Sequence, residues 1–248
     1  MKISIVTVVY NNEKTIVDAI ESVLSQRYEN IEYIIIDGNS TDRTLDIIKK
    51  YGKRINKVVS EPDKGIYDAM NKGINLATGE IIGLLNSDDL YADNGVIKNV
   101  VEQFEKNKGL DIVYGNLVYV KAENTNNIVR NWKASDYHPR YFENGNVPPH
   151  PTVFLKSKVY KEAGLFKTHY KLAADYEFLL RIFKNHSFQS RYVDQLMVRM
   201  RMGGATNKSW KNILNGNREI IAAWRDNNLP VPKLLMFHRI IKRLIQFI

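Results

Sequence analysis

The chain has 248 residues, 44% hydrophobic and 25% charged, an ordinary balance for a soluble globular protein. It contains no cysteine, which excludes disulfides and thiolate metal sites and fits a reducing compartment. The net charge of +9 is concentrated after Leu196, where ten Lys/Arg meet two Asp/Glu; the nearly neutral body excludes a nucleic-acid-binding core.

The first half alternates. "ISIVTVVY" (3–10) is an apolar, β-branched run and predicts a buried strand. "KTIVDAIESVLSQ" (14–26) puts Ile16, Ala19, Ile20, Val23 and Leu24 on one helical face. "IEYIIID" (31–37) predicts a second strand, "STDRTLDIIKKYG" (40–52) a helix with capping residues at its start and glycine at its end, and "INKVVSE" (55–61) a weaker third strand. "GIYDAMNKGINLATG" (65–79) predicts a helix and "EIIGLLN" (80–86) a fourth strand. Strand and helix at this spacing make right-handed βαβ units and a mostly parallel α/β sheet flanked by helices. The chain is long enough for one large domain with an appendage.

Ligands of such sheets gather at the carboxyl ends of the strands. Those ends read Tyr10-Asn11-Asn12, Asp37-Gly38-Asn39-Ser40-Thr41-Asp42, Glu61-Pro62-Asp63-Lys64-Gly65 and Asn86-Ser87-Asp88-Asp89. All four are polar and three are acidic, which marks a functional rim. Neither a G-x-G-x-x-G fingerprint nor a P-loop is present.

The second half is less regular. Residues 111–121 predict strand, 124–131 a hairpin-like excursion, and "ENGNVPPHPTVF" (143–154) a Gly/Pro loop feeding a short strand. Helices are predicted near 92–106 and over 172–186, 207–228 and 232–248. The start "MKISIVTVVY" lacks the apolar core of a signal peptide, and no run approaches the roughly 18 apolar residues of a membrane span. The expected location is the cytoplasm.

The ordered set "ISIVTVVYNNEKTIVDAIESVLSQ", "IEYIIIDGNSTDRT", "EPDKGIYDAMNKGINLATGEIIGLLNSDD" and "AADYEFLLRI" resembles family-two glycosyltransferases of the GT-A (Rossmann-like) fold, most of all bacterial enzymes of surface-polysaccharide assembly. The resemblance spans roughly residues 1 to 205. It implies a catalytic domain over 1–206, with a nucleotide-sugar half (1–115) and an acceptor half (116–206), followed by a C-terminal helical extension (207–248). It further implies inverting transfer of a sugar from a nucleotide diphosphate to a hydroxyl of a glycan or lipid-linked acceptor.

The resemblance also implies a divalent cation, Mn²⁺ or Mg²⁺, at the acidic motif. Carboxylate oxygens are natural ligands for such a hard ion. Asp88 matches the metal-binding acid, Asp89 is the second candidate ligand, and Asn86 stands where many relatives carry an aspartate, beside Ser87. Asp37 matches the acid that reads the uracil imide, with Gly38 allowing close approach; Thr7, Tyr10 and Asn11 match the base and ribose pocket. A UDP-sugar is therefore expected, with dTDP-sugars nearest. Lys64 precedes a helix start that could face phosphate, and Asp68 and Asn71, three apart, could both point at the donor. Asp42 reads as a helix cap. Asp175 matches the general base, although alanine replaces the customary glutamate before it. His150 matches a region near the acceptor. Arg199, Arg201 and "GGATN" (203–207) match a mobile stretch, where Arg201 would neutralise the leaving diphosphate; a surface salt bridge is the competing role.

In "PKLLMFHRIIKRLIQFI", Leu234, Phe237, Ile241, Leu244 and Ile248 form an apolar stripe opposite His238, Arg239, Lys242 and Arg243. A basic amphipathic helix can lie in the headgroup region of an anionic membrane, here the cytoplasmic face of the inner membrane. The alternative is that the stripe packs on the catalytic domain or on another copy, so a homo-oligomer stays open. Two other functions compete: a non-catalytic carbohydrate- or nucleotide-binding module, which would lack Asp88 or Asp175, and a sugar nucleotidyltransferase, which would carry a Gly-rich loop after the first strand.

Overall fold

The computed structural model describes residues 1–203 and 210–247. Its first half is the predicted alternation: β1 (Ile3–Val9), α1 (Ile16–Leu24), β2 (Ile31–Asp37), α2 (Thr44–Lys49), β3 (Lys57–Ser60), α3 (Ile66–Leu76) and β4 (Ile81–Asn86). The pairings β3–β2–β1–β4 are all parallel. β5 (Leu90–Tyr91), α4 (Val96–Lys106), β6 (Ile112–Lys121), β7 (Asn124–Trp132), β8 (Phe154–Lys156), α5 (Ser157–Ala163), α6 (Ala174–Lys184), β9 (Ser190–Arg201), α7 (Trp210–Asp226) and α8 (Leu235–Ile245) follow. The sheet continues as β4–β8–β6–β9–β5, with β7 on β6. β8, β7 and β5 run against their neighbours, and the other strands share one direction.

Buried strands show why the runs are apolar throughout. Ile3, Ile5 and Val9 of β1 face one core with α1 and α4, while Val6 and Val8 face a second core with α3 and α6. Gly73 lets α3 close onto β1, because a Cβ there would come 2.2 Å from Val6 Cγ1. At the amino end of the sheet the buried Glu32 accepts from Ser4 Oγ (2.5 Å), Thr78 N and Oγ1 (both 2.7 Å) and Lys2 Nζ (3.1 Å). These donors outweigh burial and hold its carboxyl down at about 2.

Several expectations change. Residues 190–201 form a long strand that holds Arg199 and Arg201 in the sheet rather than in a mobile stretch; Gly203 is described, and 204–207 of the expected segment lie outside the described residues. The expected divide at residue 115 falls inside β6, so one sheet runs through both halves. The expected boundary at 206 lies outside the described residues. The C-terminal helices are no loose appendage: Ile220, Ala223 and Trp224 of α7 belong to the α6-side core, with Trp224 Nε1 donating to Tyr176 Oη at 2.9 Å.

α8 lies the unexpected way round. Its basic side faces the body, where the Arg239 guanidinium lies 4.8 Å over the Tyr176 ring and His238 Nδ1 is 3.0 Å from the Glu143 carbonyl. At its far end Gln246 accepts from Arg130 and its carbonyl accepts from Asn131 N (2.8 Å). The apolar side faces outward, with Phe237, Ile240 and Leu244 about 60% exposed. The packing alternative is therefore not realised within this chain.

Candidate active site

A cleft of about 1390 Å³ opens at the carboxyl ends of β1 and β4. Its walls come from the β1–α1 turn, the start of α3, the start of α6, β7 and α8. The β1–α1 turn is pinned to its neighbours. Asn11 adopts a positive φ (47°), a left-handed conformation that asparagine tolerates. Its N–H donates to Ser40 Oγ and its Oδ1 accepts from Thr41 N, both at 2.8 Å. Asn12 Nδ2 donates to Ser87 Oγ (2.9 Å) and Thr15 Oγ1 to the Ser87 carbonyl (3.1 Å). The loops after β1, β2 and β4 thus form one rigid rim, with Tyr10, Asn11, Asn86, Ser87 and Asp88 lining the cleft.

Asp88 is held through its backbone. Its carbonyl accepts from Arg201 Nη1 at 2.8 Å. Arg201 is buried; its Nε donates to the Ala122 carbonyl (3.1 Å) and its Nη2 pairs with Asp18. It lines the cleft with one donor on each of its three nitrogens engaged, and so braces the Asp88 loop; the sequence suggested a phosphate contact. Asp89 stands behind the wall, fully buried, with Oδ2 accepting from Asn86 Nδ2 (3.1 Å) and Oδ1 without a partner. Burial, then the charge of Asp88, pushes its pKa well up. That disfavours Asp89 as the second ligand, because a carboxyl enclosed behind the wall and costly to ionise offers no free oxygen to the cleft.

Asp175 lines the cleft from the first turn of α6. Tyr67 Oη donates to its Oδ1 at 3.1 Å and His150 Nδ1 lies 3.2 Å from its Oδ2. Burial pushes His150 down, against the pull of Asp175 and then Asp88. A neutral imidazole donating from Nδ1 fits that position. Burial and the Asp175 charge push Tyr67 well up, so its hydroxyl stays a donor. The start of α6 is fixed by Glu219 of α7, which accepts from the backbone N–H of Lys171 (3.0 Å), Leu172 and Ala173 (both 2.8 Å). Glu177 is buried and engaged by Arg181, Lys167 and Asn227, which leaves it no part in the cleft.

Other expected residues lie outside the cleft lining. Thr7 is buried in mid-strand, accepting from Tyr33 Oη (3.1 Å). Asp68 accepts from Lys64 N (2.9 Å) and so closes the turn before α3; the Lys64 side chain is exposed. Asn71 clamps Phe166 through Nδ2 to O (2.8 Å) and Oδ1 from N (3.0 Å), a structural link in place of a donor contact. Asp42 accepts from Thr44 N (2.9 Å) just before α2, although the cap position itself is Arg43 and carries no side-chain cap. Asp37 is buried; Oδ2 accepts from Ser60 Oγ (2.6 Å) and Ser40 N (3.0 Å), while Oδ1 has no partner. Gly38 sits beneath Asp63, whose Oδ2 a Cβ would meet at 2.6 Å. Sequence reasoning missed Tyr67 and Glu219, whose partners lie 108 and 46 to 48 residues away.

A magnesium or manganese ion would have Asp88 as its carboxylate ligand here. Among the described residues no three His, Asp or Glu side chains converge into a metal cage. One carboxylate completed by substrate phosphates is nonetheless an ordinary donor set for such ions.

The mostly parallel sheet thus brings the acid at the mouth of β4 and the Asp175 carboxylate held by Tyr67 and His150 into one cleft. Residues 4–163 match the profile of glycosyl transferase family 2, and the chain belongs to that family. It is similar to the PGL/p-HBAD biosynthesis glycosyltransferase of Mycobacterium bovis, at 27% identity over 192 residues, covering 76% of this chain and 72% of that protein. Glycosyltransferase GlyG of Streptococcus pneumoniae is 37% identical over 117 residues, 46% of this chain and 38% of GlyG. Among solved structures, S. aureus TarS 1–349 in complex with UDP-GlcNAc aligns with a TM-score of 0.71 at 17% identity, over 99% of this chain and 73% of that one. Against another TarS structure the chain spans only 43% of the solved chain. Mannosyltransferase PcManGT from Pyrobaculum calidifontis, in complex with GDP-Man and Mn²⁺, aligns at TM-score 0.69 and 15% identity, over 97% of this chain and 69% of that one. At such identities the structural likeness speaks to the fold.

Proposed function

We propose that this glycosyltransferase moves a sugar with inversion from a nucleotide diphosphate, a UDP-sugar first, to an acceptor hydroxyl in cell-surface glycan assembly. One observation carries the proposal: Asp88 and Asp175 line the same cleft, and His150 lies in the field of both. The rim of Tyr10, Asn11, Asn86 and Ser87 would hold nucleoside and ribose. Asp37 Oδ1 is a buried acceptor without a donor behind the rim, and a uracil imide N–H would satisfy it once the loop after β2 opened to the base. A divalent cation bound with the donor at Asp88 would offset charge on the diphosphate.

Asp175 performs the proton transfer. Tyr67 and His150 hold its two oxygens while the acceptor hydroxyl approaches the anomeric carbon. The hydroxyl oxygen forms the new bond to that carbon, its proton passes to Asp175, and the bond to the diphosphate oxygen breaks with its electron pair leaving on the nucleoside diphosphate. One in-line displacement inverts the centre and needs no covalent enzyme intermediate. The test is calorimetry with UDP, dTDP and GDP, followed by transfer assays with and without Mn²⁺ or Mg²⁺. Tighter binding of GDP than of UDP would overturn the uridine assignment, and full transfer in chelator would overturn the metal.

A further inference from the structure

α8 is amphipathic and folds with the wrong side out. Segments of this kind normally bury the apolar stripe and expose the charges. Here Phe237, Ile240, Ile241 and Leu244 point outward from the helix, extended by Leu234, while Ile245 and Phe247, though exposed, sit at the edge of the cleft. Arg239, Lys242 and Arg243 line the cleft instead. Among the described residues none of these three is in an ion pair with a carboxylate. Burial, and after it the charge of Arg243, lowers Arg130 against the pull of Tyr119 and lowers Arg239 against the pull of Tyr176 and Asp175, so the three cations lie within one another's field. The cleft lining has seven Lys/Arg against three Asp, and of those Arg201 and Lys133 are neutralised by Asp18 and Asp194 outside the lining. What remains is a cationic wall on α8 facing the mouth of the cleft, back to back with an apolar ridge.

Neither feature repays its cost within the chain. Neighbouring cations that outnumber the acids of the cleft and have no carboxylate in an ion pair with them invite a multivalent anion. A continuous exposed apolar ridge invites a cover. An amphiphile with a phosphate head answers both. Resting on the glycosyl-transfer reading above, we infer that α8 docks the enzyme on a membrane carrying phosphorylated lipid, its apolar side in the interfacial layer and Arg239, Lys242 and Arg243 on the phosphate of a lipid-borne acceptor. The charge pattern favours a bilayer over a second copy. The exposed Lys233 and Lys242 border the ridge, and no acid occurs after Asp226. A two-fold pairing of this face would set like charges against each other, whereas an anionic surface would attract them. Among the described residues no helix is long and apolar enough to cross a membrane, so this contact is one of lying on it.

The experiment is flotation of the full chain with vesicles of phosphatidylcholine alone or mixed with phosphatidic acid, at low and high salt. The chain should float with phosphatidic acid vesicles at low salt, float far less with phosphatidylcholine, and lose binding as salt screens the charges. Phe237→Glu with Leu244→Glu should abolish flotation while the melting temperature holds, since both side chains are exposed. Lys242→Gln with Arg243→Gln should remove the preference for phosphatidic acid. Soluble inorganic pyrophosphate is the control for a free anion. If it binds the wild type while no vesicle does, the lipid is excluded. The docking is also overturned if the Glu variant floats like wild type, or if light scattering finds a dimer that the same variant splits. UDP calorimetry runs in parallel. Loss of UDP binding with flotation intact removes the transfer reading and leaves the docking; UDP binding without flotation does the reverse.

Discussion

Asp175→Asn separates the base from the fold. The side chain touches two groups, Tyr67 Oη at 3.1 Å and His150 Nδ1 at 3.2 Å. An asparagine keeps its Oδ1 for the Tyr67 hydroxyl. Its Nδ2 meets His150, which can present Nδ1 as an acceptor by changing tautomer. The fold therefore loses no more than one hydrogen bond, about 1 kcal/mol. The chemistry loses its proton acceptor, which should lower transfer by about 10² to 10⁴-fold, or roughly 3 to 5 kcal/mol of barrier. Nucleotide affinity should hold within about twofold, roughly 0.4 kcal/mol, because Asp175 approaches from α6 and not from the strand ends. The assay is steady-state transfer beside calorimetry with the nucleoside diphosphate: kcat should collapse with nucleotide Kd unchanged. A companion, Tyr67→Phe, retains the carboxylate and removes one of its donors, so it should lose less. Tenfold weaker nucleotide binding by Asp175→Asn, or a kcat within a few-fold of wild type, would refute the assignment.

Asp88→Asn should fold normally and lose at least about a hundredfold in transfer, with the donor's dependence on added Mn²⁺ or Mg²⁺ lost as well; retained transfer in metal-free buffer counts against it. Arg201→Met strips donors from the Asp88 and Ala122 carbonyls and from Asp18, which is itself half exposed. It should cost about 2 to 4 kcal/mol in urea unfolding, with the Asp18 share discounted for solvent; unchanged stability with weakened donor binding would instead restore Arg201 as a phosphate ligand. Glu32 is held at about 2 when folded against an ordinary 4.5. A depressed carboxylate stabilises the fold above its unfolded pKa, and that contribution, about 3 kcal/mol at most, is lost as pH falls from 4.5 towards 2. Glu32→Gln should therefore lie well below wild type at neutral pH and converge on it in acid; a gap that stays constant with pH would exclude the linkage.

The nucleotide half was legible because its strands are buried on both faces. A run such as "IEYIIID" has few other uses, and β2 begins and ends where the pattern does. β9 escaped notice because its pattern is mixed: Ser190, Asp194 and Gln195 interrupt it, and only Met197, Val198 and Arg201 are buried. The site followed the same division. Motif resemblance pointed to Asp88 and Asp175, and the structure places both in the lining of one cleft. For Asp68 and Asn71, three-residue spacing establishes a shared helix face but not what that face meets. For Asn71 the answer is Phe166, 95 residues on.

Charge was the hardest property to read, and the reason is physical. A cation's role depends on whether an acid sits beside it, and that partner can be anywhere in the chain. Arg201 resembled a leaving-group clamp, yet Asp18, 183 residues earlier, already neutralises it. Arg239, Lys242 and Arg243 resembled the wet side of a tail helix, yet they line the cleft. Amphipathic periodicity establishes that a helix has two faces and is silent on which one turns inward. That choice is settled by neighbours: the Tyr176 ring under Arg239, the Glu143 carbonyl at His238, and Arg130 and Asn131 at Gln246. Each contact engages the polar side of α8. Together they make it cheaper to leave Phe237 and Leu244 in water than to turn the helix over, unless a bilayer takes the apolar side as well.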